Sequence, residues 1–155
     1  MQTHLPLPSL VDSINILEGD ELDATVAAAI TVLNVLHETL PEAELDLYDG
    51  HPEVFKWRGY EPSLVNLGEL ASMRLADLDG KDSLLMERSE EERETLSWHM
   101  RSACSGSYNL MMPDWFGSIA FHQAEQAQLV RMRPEVYRKH FPTIDMLVAP
   151  VWPRA

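Results

Sequence analysis

No lysine or arginine occurs before Lys56. Residues 1–55 instead carry eleven carboxylates: Asp12, Glu18, Asp20, Glu21, Asp23, Glu38, Glu42, Glu44, Asp46, Asp49 and Glu53. Wherever that stretch is exposed it repels phosphate, which sets a condition on any nucleic-acid chemistry in the chain. Cysteine is almost missing as well. Cys104 stands alone, so an intramolecular disulfide is excluded and a reducing compartment is expected. Its surroundings, RSACSGSYN, carry no nucleophile signature and read as an inert thiol. No run of 18 apolar residues exists, so no membrane span is expected. Met1–Pro8 lacks the basic region and apolar core of a signal peptide, and a cytoplasmic protein is expected. There is no glycine-rich phosphate loop, no Ser-His-Asp order and no zinc spacing, so neither a metal nor a cofactor is expected. His122 and Glu125 stand at i, i+3, but two ligands make no metal site.

What is present suits a single domain over 1–155. The length is enough to bury a core, and 45% hydrophobic content lies in the globular range. The net charge of −13 disfavours anionic partners such as DNA or membrane lipid. The charge is uneven along the chain. Residues 56–121 hold eleven acids and seven bases, and residues 122–155 hold three acids and five bases, Arg131, Arg133, Arg138, Lys139 and Arg154.

The spacing predicts an all-α fold of five or six helices. Leu22, Val26, Ile30, Leu33 and Leu36 form one apolar stripe within 21–39, which Pro41 stops. A second helix opens at Glu61-Pro62 and ends at Gly80. Gly68 in its middle costs up to about 1 kcal/mol relative to alanine and suggests a close helix contact. A third opens at Ser89, where Ser89 and Glu92 have capping-box spacing, buries Leu96, Met100 and Ala103, and ends at Gly106. A fourth covers 117–131 with Ile119, His122 or Gln123, Gln126 and Val130 on one face. Shorter helices are expected at Pro134–His140 and Pro8–Leu17, with loops over 41–59 and 106–116. Nothing alternates with the two-residue period of a strand.

Five segments carry a resemblance: MQTHLPLPSLVDSINIL at 1–17, HPEVFKWRGYEPSL at 51–64, PDWFG at 113–117, H-x-x-E-x-x-x-LVRMRPEVYRKHFP at 122–142, and VWP at 151–153. In this order and register the chain resembles a family of small proteins from actinobacteria and their phages, related to the pyrimidine-dimer DNA glycosylases of the endonuclease V type. The resemblance implies a compact helical fold and excision of a base flipped from duplex DNA. It also implies an N-terminal amine that attacks the sugar, a glutamate that moves protons, and basic residues that hold phosphates. An imine intermediate splits a hard step into two, and an α-amine is less basic than lysine.

On that resemblance Glu21, Met1 and His122 are the catalytic candidates. Lys56, Trp57, Arg58, Tyr60, Arg131, Arg133, Arg138 and Lys139 are the candidates for nucleic-acid contact. The chain departs from the pattern at 19–28. The family's basic side chains there have become Gly19, Asp20, Glu21, Ala24 and Val26, and its acid has become Ala28. Further on, Glu125 stands where the pattern has a second histidine, Gln126 replaces an arginine and Met132 a lysine. Each lost base removes a phosphate contact and each new acid adds repulsion. Each candidate also has a plain reading. Glu21 is then an exposed first-turn glutamate, Met1 an ordinary terminus, and Trp57 with Tyr60 a core pair rather than a stacking platform. The 131–140 cluster equally docks a nucleic-acid backbone, neutralises the acidic half or meets an acidic partner.

Three functions follow as expectations. The first is a diverged glycosylase/lyase-like protein that binds DNA weakly and has lost or altered its chemistry. The second is an acidic interaction protein that mimics phosphate toward a basic nucleic-acid-binding protein. The third is an enzyme acting on a modified base or nucleoside.

Overall fold

The computed structural model describes residues 1–78, 83–102 and 111–152, with the backbone alone over 83–89. Among these residues the chain is helical and contains no strand. The helices are α1 (Leu10–Ile16), α2 (Gly19–Leu36), α3 (Glu42–Leu45), α4 (Pro52–Trp57), α5 (Glu61–Leu78), α6 (Ser83–Ser102), α7 (Ile119–Met132) and α8 (Pro134–Tyr137). Short 3-10 turns occupy Asp46–Tyr48 and Asp114–Gly117.

The long helices are those the apolar spacing predicts. In α2, Leu22, Val26 and Leu33 are buried while Ile30 and Leu36 flank the core. The helix ends before Pro41, where Glu38 takes a positive φ of 52° and the Thr39 N–H returns to the Asn34 carbonyl at 2.9 Å. That pattern satisfies carbonyls the helix end would leave bare. Helices α2 and α5 pack along each other, and α6 lies against α5. Gly68 sits where the three meet. A Cβ there would stand 2.9 Å from one Leu96 methyl and 3.3 Å from the Ala29 Cβ, so the missing side chain allows the close approach.

Three expectations need correction. Segment 41–59 is not a loop, because it carries α3, a 3-10 turn and α4. Helices of four to six residues are too short to show a period. The cap of α4 is also unusual: the His51 ring accepts the Glu53 N–H at 3.1 Å, with Pro52 following in the first turn. Helix α6 starts at Ser83, ahead of the expected Ser89. Helix α7 buries Phe121, His122, Ala124, Glu125, Leu129 and Val130, while Ile119 is 74% exposed. Of the expected face His122 and Val130 are buried and Gln126 is half-buried, while Ile119 falls outside it and Glu125, which hydropathy assigns to water, joins the buried side. The Ser89 side chain, Gly80, Ala103, Cys104, Gly106 and Pro153 lie outside the described residues.

The N-terminal segment threads through the helical core. Thr3–Pro6 is buried and outside any helix. A non-helical stretch of chain among helices has no ladder for its backbone groups, so side chains must bond them. They do. The His4 N–H goes to Thr25 Oγ1 at 3.2 Å and the Leu5 N–H to Glu125 Oε2 at 3.3 Å. The Thr3 carbonyl accepts from Lys56 Nζ at 3.2 Å, and the Pro6 carbonyl accepts from Gln126 Nε2 at 2.8 Å. Ser13 Oγ closes both the N–H and the carbonyl of Leu7 at 3.0 Å.

Candidate functional site

The structure sorts the candidate residues into three places. The first is the core around Lys56. Its side chain is fully buried. The ammonium donates to Glu53 Oε1 at 3.0 Å, to Thr3 Oγ1 at 3.1 Å and to the Thr3 carbonyl. Thr3 Oγ1 in turn donates to Glu53 Oε2 at 2.9 Å and accepts from Trp57 Nε1 at 3.0 Å. Rings of Phe121 and Trp115 lie 5.0 Å and 5.1 Å from Nζ, within cation–π range. The Trp115 indole donates to the Lys56 carbonyl at 2.9 Å. Lys56, read from the sequence as a phosphate contact or a solvated loop charge, is therefore enclosed and spent on holding the N-terminal segment, and Trp57, read either as a stacking platform or as a core ring, is a core ring. Of the nearby residues Arg58 is exposed, over the Phe55 ring at 5.2 Å, and Tyr60 is half-buried against the core.

His122 and Glu125 belong to the same core. The two ring nitrogens of His122 face the carbonyls of Leu5 at 2.8 Å and Phe116 at 2.6 Å. Glu125 accepts from Gln2 Nε2 at 2.9 Å and from the Leu5 N–H, with His4 Nδ1 3.8 Å away. Burial works against its charge, but the neighbouring His4, the Lys56 ammonium and the Leu5 N–H outweigh it and hold its carboxyl below the usual range. His122 and Glu125 both face the chain's own N-terminal segment.

The second place is the start of α2. Glu21 is only 2% exposed, so it is not the solvated first-turn glutamate of the plain reading. The Tyr137 hydroxyl donates to Glu21 Oε2 at 2.6 Å, and Arg133 Nη1 donates to the same oxygen at 3.0 Å. Tyr137 also accepts the Glu18 N–H at 3.0 Å, which satisfies a donor at the helix start that Glu18 leaves without a side-chain cap. Burial and the bond to Glu21 push the phenol well above its ordinary value. Arg133 is shared further with Asp20 at 3.7 Å and Glu135 at 3.9 Å. The rest of the basic cluster is partly committed to the chain itself. Arg131 donates to the Met146 and Val148 carbonyls, and Arg138 to those of Phe141, Pro142 and Ile144, so the two guanidiniums staple the segment after α8. Lys139 and His140 are exposed.

The third place is a cleft of about 340 Å³ between the first residues and α2, walled by Met1, His4, Ala24, Ala27 and Ala28. Glu21, Trp57 and His122 do not line it. The structure thus brings Glu21 together with Arg133 and Tyr137, brings Lys56 and Trp57 together within the core that also holds His122, and places none of them on the cleft that Met1 lines. Residues the sequence reading missed as polar anchors are Thr3, His4, Thr25 and Glu53. The signal for Glu53 was available in its i, i+3 spacing to Lys56. Thr3 and Thr25 carry no signal in a single sequence.

At the far end of α2 lies one more polar pair. His37 Nδ1 and His99 Nδ1 are 2.9 Å apart, and His99 Nε2 is 2.8 Å from Asn34 Oδ1. Burial, with His37 adding to it, holds His99 down to about 4. Among the described residues no group of three or more His, Cys, Asp or Glu is arranged to hold a metal ion, and no helix is long and apolar enough to cross a membrane. Comparison of the chain with models of known protein families, with curated proteins and with solved structures finds no match.

Proposed function

We propose that this chain is a diverged protein of the pyrimidine-dimer glycosylase lineage that no longer excises bases or cleaves strands in duplex DNA, and that it binds DNA weakly. One observation carries the reading. Glu21, the acid that the resemblance offers for proton transfer, is sealed by Tyr137 and Arg133 and is absent from the cleft that Met1 lines. Where the resembled pattern places a base and an acid along that helix, the cleft wall holds the methyl groups of Ala24 and Ala28. A reaction by a terminal amine needs a proton-transfer group within hydrogen-bond reach of the reacting atoms. The test is incubation of the full chain with ultraviolet-irradiated duplex and borohydride. The expected result is no trapped adduct and no strand scission, with only weak, salt-sensitive association. A covalent adduct, or tight binding to the lesion, refutes the proposal.

A second reading has its own observation. Glu38, Glu42, Glu44, Asp46 and Asp49 are all exposed within twelve consecutive residues, 38–49, that contain no base. A surface of that kind suits a basic groove of a nucleic-acid-binding protein. It predicts tight capture of such a protein at low salt and its release at high salt, with no retention of DNA. Absence of any basic partner at low salt ends this reading. The third, an enzyme for a modified base or nucleoside, needs Met1, Glu21, Trp57 and His122 around one cleft, and it loses its support with their separation.

A further inference from the structure

Helix α6 carries a tryptophan on its surface. Trp98 is 45% exposed, which leaves much of a large apolar ring in water. A fixed ring backs it. The His99 imidazole stands at 78° to the indole with centroids 5.0 Å apart, and both of its nitrogens are engaged, by His37 and by Asn34. Trp98 lines an open groove of about 570 Å³ with Asn34, Glu94, Ser97, His99 and Arg101.

Glu94, Ser97, Trp98 and Arg101 share one face of α6, because spacings of three and four return to the same side of a helix. The charges on that face are ordered along it. Glu94 stands one turn before Trp98 and Arg101 one turn after it. Glu90 and Glu91, both exposed, extend the acidic end. Glu94 has no hydrogen-bond or ion-pair partner among the described residues, and Arg101 donates to Ser97 Oγ at 3.1 Å without meeting a carboxylate. The face is complementary to itself. A two-fold axis passing between Ser97 and Trp98 lies midway between Glu94 and Arg101, about 5 Å along the helix from each. A second α6 related by that axis runs antiparallel. It sets the partner's Arg101 opposite Glu94 and the partner's Glu94 opposite Arg101. Each indole then covers the small Ser97 of the other helix. A parallel copy places like charges together and is disfavoured.

We propose that this face of α6 docks on the same face of a second copy of the chain, as an antiparallel helix pair centred on Trp98. The occupant is a second copy because the order of charges and the alternation of large and small side chains match the face itself. The net charge of −13 on each chain opposes association at long range, but physiological salt screens it beyond about 8 Å, whereas the Glu94–Arg101 pairs are in contact. A single helix pair makes a small interface, so the complex belongs to the weak, transient class. The proposal stands whether or not the chain retains chemistry on DNA.

The experiment is analytical ultracentrifugation of the full chain at physiological salt, from about 10 µM to about 1 mM, the range of a weak complex. A shift from monomer to dimer with concentration is expected. Trp98→Ala removes the central ring and is expected to weaken the dimer about tenfold or more. Glu94→Arg and Arg101→Glu each bring like charges into contact, and each alone is expected to stay monomeric. An equal mixture of these two variants is expected to dimerise, because every Glu–Arg contact is then restored between unlike copies. The double variant, Glu94→Arg with Arg101→Glu, is expected to dimerise with itself. All three positions are exposed, so the substitutions leave the core untouched. A chain that stays monomeric throughout the range overturns the proposal. So does a dimer that Trp98→Ala leaves intact, and so do charge variants that dimerise alone or fail to dimerise when mixed.

Discussion

The carboxylates of Glu53 and Glu21 are both buried and both paired with a cation, yet the two sites are built differently. Glu53 and Lys56 come from one turn of α4, are fully enclosed, and use their remaining bonds on Thr3. Glu21 and Arg133 come from opposite ends of the chain, and Arg133 keeps 31% of its side chain in solvent. The neutral Tyr137 hydroxyl, not the cation, makes the shorter bond to Glu21. The comparison teaches that the first site is a clamp on a non-helical segment inside a helical core. The second is a seam that ties the start of α2 to the turn into α8. Neither leaves its carboxylate free to move protons on a substrate.

The largest expected effect belongs to the enclosed site. Lys56→Met removes the ammonium and leaves Glu53 charged, buried and short of a partner. Breaking a buried pair in this way costs about 3–5 kcal/mol. Urea denaturation of the variant measures it. The double variant Lys56→Met with Glu53→Gln removes the stranded charge and is expected to recover part of the loss. A Lys56→Met variant as stable as the parent breaks the comparison, because the clamp would then be dispensable.

Next comes the seam. Tyr137→Phe removes the hydroxyl from both Glu21 and the Glu18 N–H while keeping the ring in the core. A hydrogen bond to a charged group is worth about 1.5–3 kcal/mol. The expected loss is about 2 kcal/mol by the same denaturation assay, below that of Lys56→Met. A larger loss than at Lys56 reverses the ranking of the two sites.

These sites also mark how far the sequence could be read. Spacings of three and four along α2, the Glu61-Pro62 start of α5 and the Pro134 start of α8 all carried through to the structure, because apolar stripes and proline act locally. Segment 41–59 did not, because helices this short owe their stability to packing and caps rather than to pattern. The candidate site was legible only as a set of residue types. Glu21, Arg133 and Tyr137 are far apart in sequence and nothing local couples them. Lys56 looked like a surface cation because lysine is almost never fully buried unless paired, and its second partner, Thr3, lies 53 residues away. Trp57, for which the sequence left a core ring and a stacking platform open, is the core ring.

Acid separates the polar sites by window. His99 sits at about 4 in the folded chain against 6.5 for an ordinary histidine. Between those values the unfolded chain binds a proton that the folded chain refuses, so stability falls as pH drops from about 6.5 toward 4. Glu125 is held below its ordinary 4.5, so its contribution is complete above that value and drains away as pH falls beneath it. Denaturation midpoints measured from about pH 7 to about pH 3 are expected to fall in two stages. His37, which burial also holds below 6.5, shares the first stage, so His99→Gln shrinks it and Glu125→Gln flattens the second. A first stage of undiminished size in His99→Gln removes His99 from the account.

The smallest effect is expected where solvent reaches. Arg133→Met deletes the cation beside Glu21 but keeps the Tyr137 bond and leaves an opening to water. Attraction through the exposed side of Arg133 is screened, which moves this pair, with only Glu21 buried, toward the roughly 0–1 kcal/mol of exposed pairs, about 1 kcal/mol at the upper end. Asp20 and Glu135 lose their partner as well, but both are exposed and water replaces it. The expected loss is therefore about 1 kcal/mol, and it should shrink in high salt, whereas the loss at Lys56 should not. If Arg133→Met instead matches Lys56→Met and ignores salt, Glu21 is as isolated from water as Glu53, and the seam is a second clamp.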